Sequence, residues 1–214
     1  MKNKSFIQWC GLLGFVSFFS YALAVVFAPR AYPNYLWMQR AVSDLSAADA
    51  PSFVLWTRLA GLYGITGITC LMMACVAIRG KLNKPLRLGI YLFTAMFWVS
   101  VAGYAAFPLS QSGGQGNTPQ DIMHLVVTGI VVVLSIVSLV LIMVGSFRKK
   151  YKASLGVCAA VALFLMCVGA VGTGVAPDEL FGVFQRFSNL IAVNGFLVVL
   201  GMYLFFGKLE GEVC

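Results

Sequence analysis

Six long apolar runs dominate this sequence, at residues 6–28, 53–78, 88–107, 122–147, 153–176 and 187–206. Each run supplies the roughly 20 residues that an α-helix needs to cross about 30 Å of bilayer hydrocarbon. Inside a bilayer every backbone polar group needs an internal partner, and a helix provides one within a single segment. The sequence therefore predicts an all-α, polytopic membrane protein, in which one bundle of six transmembrane helices forms a single domain over residues 1–214.

The composition excludes a water-soluble fold. Of the 214 residues, 60% are hydrophobic and 10% are charged. A soluble domain carries roughly 25% charged residues, because it needs them to cover its surface. The length suits one compact helical unit, with no room for a separate soluble domain.

The distribution of charge predicts the orientation of the bundle. Eleven of the 15 Lys and Arg residues precede run one, join runs two and three or runs four and five, or follow run six. Five of the seven acidic residues fall on the opposite side. The positive-inside rule then places both termini in the cytoplasm and the chain in the inner cell membrane. On the outer side the basic residues are Arg30, Arg40, Arg58 and Arg186.

The short basic clusters between apolar runs predict topology rather than nucleic-acid binding, since they form no continuous basic stripe. The chain has one histidine, which is too few for bis-histidine haem ligation or a histidine-rich zinc site. Five of the six cysteines lie inside apolar runs and no C-x-x-C motif occurs, so neither disulfides nor a zinc cluster are expected. We expect no metal and no cofactor.

Polar residues near membrane depth are concentrated at the outer ends of the runs, where such residues are candidates for function. Asp121 and His124 begin run four with i, i+3 spacing, so they could form a proton-handling or anion-binding pair. The structural alternative is that Asp121 caps the helix and His124 lies at the interface. Asp44, in the first outer loop, is a further candidate for the same site.

Two arginines and an asparagine complete the candidate set. Arg58 and Arg186 lie near the outer ends of runs two and six, where they could bind an anionic head group or extend toward the lipid surface. Asn189 shares a helix face with Arg186 by i, i+3 spacing. Asn189 and Asn194 could instead form hydrogen bonds between helices.

Three short motifs carry a resemblance to a known family. They are Ser43-Asp44-Leu45-Ser46 in the first outer loop, Ala106-Phe107-Pro108-Leu109 at the end of run three, and Asp121-Ile122-Met123-His124 at the start of run four. With the six-helix layout, they resemble the bacterial membrane family catalogued as domain of unknown function number 998. The resemblance covers nearly the whole chain. It implies a multi-pass cell-membrane protein with no established activity, and it favours Asp44 and His124 as site residues.

The predicted function is an outward-facing polar pocket that binds a lipid head group or small amphiphile. Its predicted lining is Arg58, Asp121, His124, Arg186, Asn189 and Asp44, and its expected partner is membrane lipid. A metal-independent enzyme acting on lipid is the first alternative, although the sequence assigns no catalytic residue. A small-solute transporter and a structural partner subunit follow, and assembly with itself or with another chain stays open.

Overall fold

The computed structural model describes residues 4–113, 118–148 and 152–209, and within these ranges the chain forms helices and connecting turns without a β-strand. Six helices are long and apolar enough to cross a membrane, which confirms the predicted fold class. They are α1 (Phe6–Ala31), α2 (Phe53–Ala77), α3 (Lys84–Ala106), α4 (Pro119–Phe147), α5 (Ala153–Val175) and α6 (Asp178–Phe205).

The two ends of the bundle differ in chemistry. We call the end that carries residues 32–52, 107–113, 118 and 176–177 the loop end. The opposite end, which carries residues 78–83 and the described residues Lys4, Arg148, Lys152 and Lys208, is the basic end. Residues of α2 to α6 form the main buried core, in which Phe93, Phe97 and Phe196 are fully or almost fully buried. Helix α1 packs against α2 and α6.

Helices approach one another most closely at glycines. At the basic end, a Cβ atom on Gly201 of α6 would overlap the carbonyl oxygen of Gly11 in α1. A Cβ atom on Gly145 of α4 would overlap the backbone of Leu86 in α3. The absent side chains therefore let the helix backbones pack directly together, as small residues commonly do in membrane bundles.

Helix α2 is interrupted near the loop end. It consists of Phe53–Leu59 and Tyr63–Ala77, with a turn between them. At the turn the N–H of Tyr63 donates to Ala60 at 2.9 Å, so the carbonyl of Leu59 lacks its helical partner. The Ser20 hydroxyl of α1 donates to this carbonyl at 2.6 Å. Side-chain hydroxyls from a neighbouring helix are a known way to satisfy a broken helix inside a membrane.

Helix α6 contains a π-helical segment over Phe187–Asn194. In an α-helix, residues five apart would lie about 140° apart around the axis. The i→i+5 register of a π-helix instead brings them close together. Accordingly, Asn194 donates from Nδ2 to Oδ1 of Asn189 at 3.1 Å. The sequence did not predict this segment, because the spacing of apolar residues does not show where backbone hydrogen bonds change from i→i+4 to i→i+5.

Candidate functional site

The first loop, residues 32–52, folds over the loop end of the bundle and is fastened to α6. Arg186 donates from Nη1 to the carbonyl of Trp37 at 2.7 Å and from Nη2 to the hydroxyl of Tyr35 at 3.1 Å. The N–H of Val42 donates to the side chain of Gln185 at 2.6 Å. Arg186 thus binds backbone and tyrosine oxygens within the chain, and its head group points into the loop.

The same loop is fastened to the segment that follows α3. The carboxylate of Asp44 accepts a hydrogen bond from the N–H of Gly113 at 3.0 Å, and the Ser112 hydroxyl donates to the carbonyl of Asp44 at 3.1 Å. Asp44 is buried. Burial raises the pKa of Asp44, and the Gly113 N–H and the positive charge of Arg40 oppose that rise.

Asp121 organises the start of α4. Its carboxylate accepts from the N–H of Ser110 at 2.8 Å, from the Ser110 hydroxyl at 2.7 Å and from the Thr118 hydroxyl at 2.7 Å. The Thr118 side chain in turn accepts from the N–H of Asp121 at 3.1 Å. The capping alternative is therefore close to what is observed, with Thr118 as the N-cap and Asp121 three residues later.

His124 is held by the end of α3 rather than by Asp121. Its Nδ1 lies 2.8 Å from the carbonyl oxygen of Phe107, and its ring packs against Tyr104 with centroids 4.8 Å apart. A carbonyl only accepts, so Nδ1 carries the proton and Nε2 of the neutral ring is an acceptor. Within the described residues no serine hydroxyl contacts His124, so no Ser–His pair forms there.

Arg58 lies on the loop-end segment of α2 and is exposed. It lines a surface groove of about 390 Å³ between α1 and α2. None of the other predicted site residues lines this groove. Its walls are otherwise apolar except for Ser20, and they consist of Phe15, Val16, Phe19, Ser20, Leu23, Arg58, Leu59 and Leu62.

Asn189 lies deeper in α6 and joins two helices. It donates from Nδ2 to the hydroxyl of Tyr21 in α1 at 2.7 Å, and it accepts from Asn194 as described above. The ring of Tyr21 also packs on Tyr63 of α2, with centroids 4.8 Å apart. The alternative of hydrogen bonds between helices describes Asn189, and Asn194 donates to Asn189 within α6.

The six predicted residues therefore occupy three places. Asp44, Asp121, His124 and Arg186 hold the loop end together, Asn189 lies between α1 and α6, and Arg58 lines a groove. In the described ranges no three histidine, cysteine, aspartate or glutamate side chains are grouped so that they could hold a metal ion.

Comparison with known families identifies the family of the chain. A family model with the description "Protein of unknown function (DUF998)" matches residues 15–203. The chain belongs to the DUF998 family. The resemblance inferred from the three short motifs is thereby confirmed. Comparison with curated proteins and with solved structures gives no match.

In this DUF998 chain the three motifs meet at the loop end, because Asp44 bonds Gly113 beyond α3, and Phe107 at the end of α3 bonds His124 of α4. Sequence reasoning missed Ser110 and Thr118, which hold Asp121. A signal for Thr118 was present, since Thr118-x-x-Asp121 before an apolar run is the pattern of a capping box. Ser110 carried no such signal, because its contact depends on how the loop folds.

Proposed function

We propose that the chain binds a lipid head group or small amphiphile in the groove between α1 and α2. The observation that carries this proposal is a charged side chain, Arg58, in the lining of an otherwise largely apolar groove of about 390 Å³. Small-molecule sites typically have volumes of roughly 300–1,000 Å³, mostly apolar walls and few polar groups. The proposal assigns the loop end to the outer face of the inner cell membrane, as the charge distribution predicts.

Arg58 is a loop-end arginine with no contact that would compete with a ligand within the described residues. Arg186 and Arg40 donate hydrogen bonds within the chain, and Arg30 packs over the ring of Phe27 at 4.6 Å. Arg58 has no hydrogen bond, ion pair or ring contact within the described residues. A guanidinium binds phosphate or carboxylate through two parallel hydrogen bonds, so an anionic head group is the ligand chemistry that fits.

The rest of the groove suits an apolar chain. Phe15, Phe19 and Leu23 follow one another along α1 at four-residue spacing, so they lie on one helix face over a rise of about 12 Å. Leu59 and Leu62 form part of the opposite wall on α2. A ligand with an anionic head beside Arg58 and a chain along this face would be an amphiphile.

The remaining predicted residues support the site in this proposal. Asp44, Asp121, His124 and Arg186 hold the loop end in place, and Asn189 fixes α1, through Tyr21, against α6. Their hydrogen bonds within the chain make them positioning residues, so Arg58 is the group expected to contact the head group.

Native mass spectrometry of the full chain, extracted in a mild detergent, tests the proposal. We expect Arg58→Ala to retain one anionic amphiphile fewer than the wild-type protein, with an unchanged melting temperature. Arg30→Ala is the matched control, because it removes an exposed loop-end arginine that does not line the groove. Equal retention by wild type and Arg58→Ala would overturn the proposal, and so would equal loss in both variants.

A second variant separates an amphiphile from a free head group. Val16→Trp adds a bulky apolar side chain to the groove wall without changing the charge. It should reduce binding of a long-chain phosphatidylglycerol while leaving binding of glycerol phosphate unchanged. Unchanged binding of both probes would show that the ligand chain does not occupy the groove.

A metal-independent enzyme acting on lipid is the second candidate, and His124 is the observation that favours it. The Phe107 carbonyl fixes the ring so that Nε2 is free to accept a proton, which is the form a general base needs. Its test is lipid turnover by wild type and His124→Gln in the same vesicles. Turnover that His124→Gln abolishes without unfolding the protein would establish it, and absence of turnover by the wild type would reject it.

A further inference from the structure

A second groove lies at the basic end, between α3 and α4. Its volume is about 430 Å³. Five of its lining residues come from the start of α3 and one from α4: Lys84, Pro85, Arg87, Leu88, Tyr91 and Leu141. This groove and the Arg58 groove share no residue, and they are at opposite ends of the bundle.

The polar end of this groove carries two basic side chains, Lys84 and Arg87. Lys84 and Arg87 lie three residues apart in the first turns of α3, so they lie on the same face. Neither side chain has a hydrogen bond, ion pair or ring contact within the described residues, and no acidic side chain lines the groove. The amino-terminal end of the 23-residue helix adds to the positive potential.

The rest of the groove is apolar and leads toward the middle of the bundle. Leu88 and Leu141 form facing walls from the two helices. Tyr91 lies four residues beyond Arg87, about 6 Å further along the axis, and its hydroxyl has no hydrogen-bond partner within the described residues. The groove therefore combines positive charge at the basic end with apolar walls and a tyrosine hydroxyl donor.

We propose that this groove binds an anionic phospholipid of the leaflet at the basic end. Arg87 and Lys84 bind the phosphate, the Tyr91 hydroxyl donates to an ester carbonyl, and an acyl chain lies between Leu88 and Leu141. Basic pockets between transmembrane helices are suited to such head groups. The inference does not rest on the proposed function, because it concerns other residues at the other end of the bundle.

The test compares phosphatidylglycerol with phosphatidylcholine of the same acyl chains, each titrated onto the full-length protein in detergent and followed by native mass spectrometry. The wild type should bind phosphatidylglycerol more tightly. Each cation near an anionic group contributes a factor of about five, so Lys84→Gln with Arg87→Gln should weaken binding about 25-fold. Thermal unfolding of each variant is measured in parallel.

The matched control is Arg79→Gln with Lys81→Gln, because it removes the same charge from exposed residues at the same end that do not line the groove. It should leave phosphatidylglycerol binding within about twofold of wild type, a small change beside the fivefold expected for each lost contact. Equal weakening in both double variants would mean general electrostatic attraction and would overturn the site. So would a wild type that binds the two lipids equally.

A substitution that leaves the charge unchanged tests whether the acyl chain lies in this groove. Leu141→Trp fills the apolar end of the groove from α4. It should weaken phosphatidylglycerol binding while Lys84 and Arg87 remain in place. Unchanged binding in a folded Leu141→Trp variant would overturn the assignment of the chain to this groove.

Discussion

The Ser20 hydroxyl of α1 donates to the Leu59 carbonyl at 2.6 Å, at the point where α2 is broken. Ser20→Ala would leave that carbonyl without a partner in the partly buried contact between α1 and α2. We expect a loss of about 1–2 kcal/mol in the free energy of unfolding, measured in detergent. Thr66→Val is the control, because the Thr66 hydroxyl donates to a carbonyl of its own helix, Leu62, in an exposed hydrogen bond. Equal effects of the two substitutions would show that the bond between the helices has no special role.

The packing of α2 against α3 predicts the effect of a larger side chain at Gly64. A Cβ atom there would lie 2.8 Å from Cγ1 of Val101, which is too close for an undisturbed contact. Gly64→Leu should therefore lower stability by about 1–3 kcal/mol. Gly129→Leu is the control, since a Cβ atom at Gly129 meets nothing within 4 Å. An unchanged melting temperature for Gly64→Leu would mean that α2 and α3 do not pack here.

The six spans could be predicted from the sequence because each apolar run is long enough to fix one helix. The partners of the polar residues could not be predicted in the same way. Asp121 and His124 are neighbours in sequence, yet His124 bonds the carbonyl of Phe107 and Asp121 bonds Ser110. These bonds depend on the path of the chain after α3, which hydropathy does not encode. Arg58 and Arg186 looked equivalent for the same reason, although one is exposed and the other binds the loop.

Arg186 should control the order of the first loop. Its hydrogen bonds to Trp37 and Tyr35 are charge-assisted, and each such bond contributes about 1.5–3 kcal/mol. Arg186→Gln should therefore increase hydrogen–deuterium exchange of the loop amides about tenfold or more. Arg30→Gln removes an arginine that packs on Phe27 of its own helix and should leave loop exchange unchanged. Loop exchange that does not respond to Arg186→Gln would contradict the observed anchoring.

Burial of Asp44 predicts a dependence of stability on pH. Its pKa is raised above the ordinary value of 3.8, so the folded protein holds this proton more tightly than the unfolded chain. The contribution of Asp44 to stability should fall as pH rises from 3.8 through the raised pKa of Asp44. Asp44→Asn keeps an acceptor for the Gly113 N–H but cannot titrate, so the stability difference between wild type and variant isolates this effect.

The control for Asp44 is Asp49→Asn, which neutralises an exposed carboxylate of the same loop. Thermal unfolding of all three proteins is followed from acid to neutral pH. A wild type that becomes more stable relative to Asp44→Asn as pH rises would show that folding lowers the pKa of Asp44 instead of raising it.

The orientation in the membrane can be tested by labelling single cysteines in a background without the six natural ones. Asp178→Cys, at the loop end, should react with an impermeant reagent in intact cells. Lys81→Cys, at the basic end, should react only after permeabilisation. Both positions are exposed, whereas Asn83 is unsuitable because its side chain caps α3 and bonds Gly145. The reverse pattern of labelling would place the basic end outside.

The π-helical segment of α6 sets the rotation between the two ends of that helix. If the segment became α-helical with all its residues kept, Asn189 and Asn194 would lie about 140° apart around the axis. The part of α6 below it would then be turned by about 100° relative to Arg186. Asn194 would move away from Asn189, and the bare face of Gly201 would no longer meet Gly11. The extra residue of the π-helical segment therefore fixes the rotation between the loop anchor at Arg186 and the contact of Gly201 with Gly11.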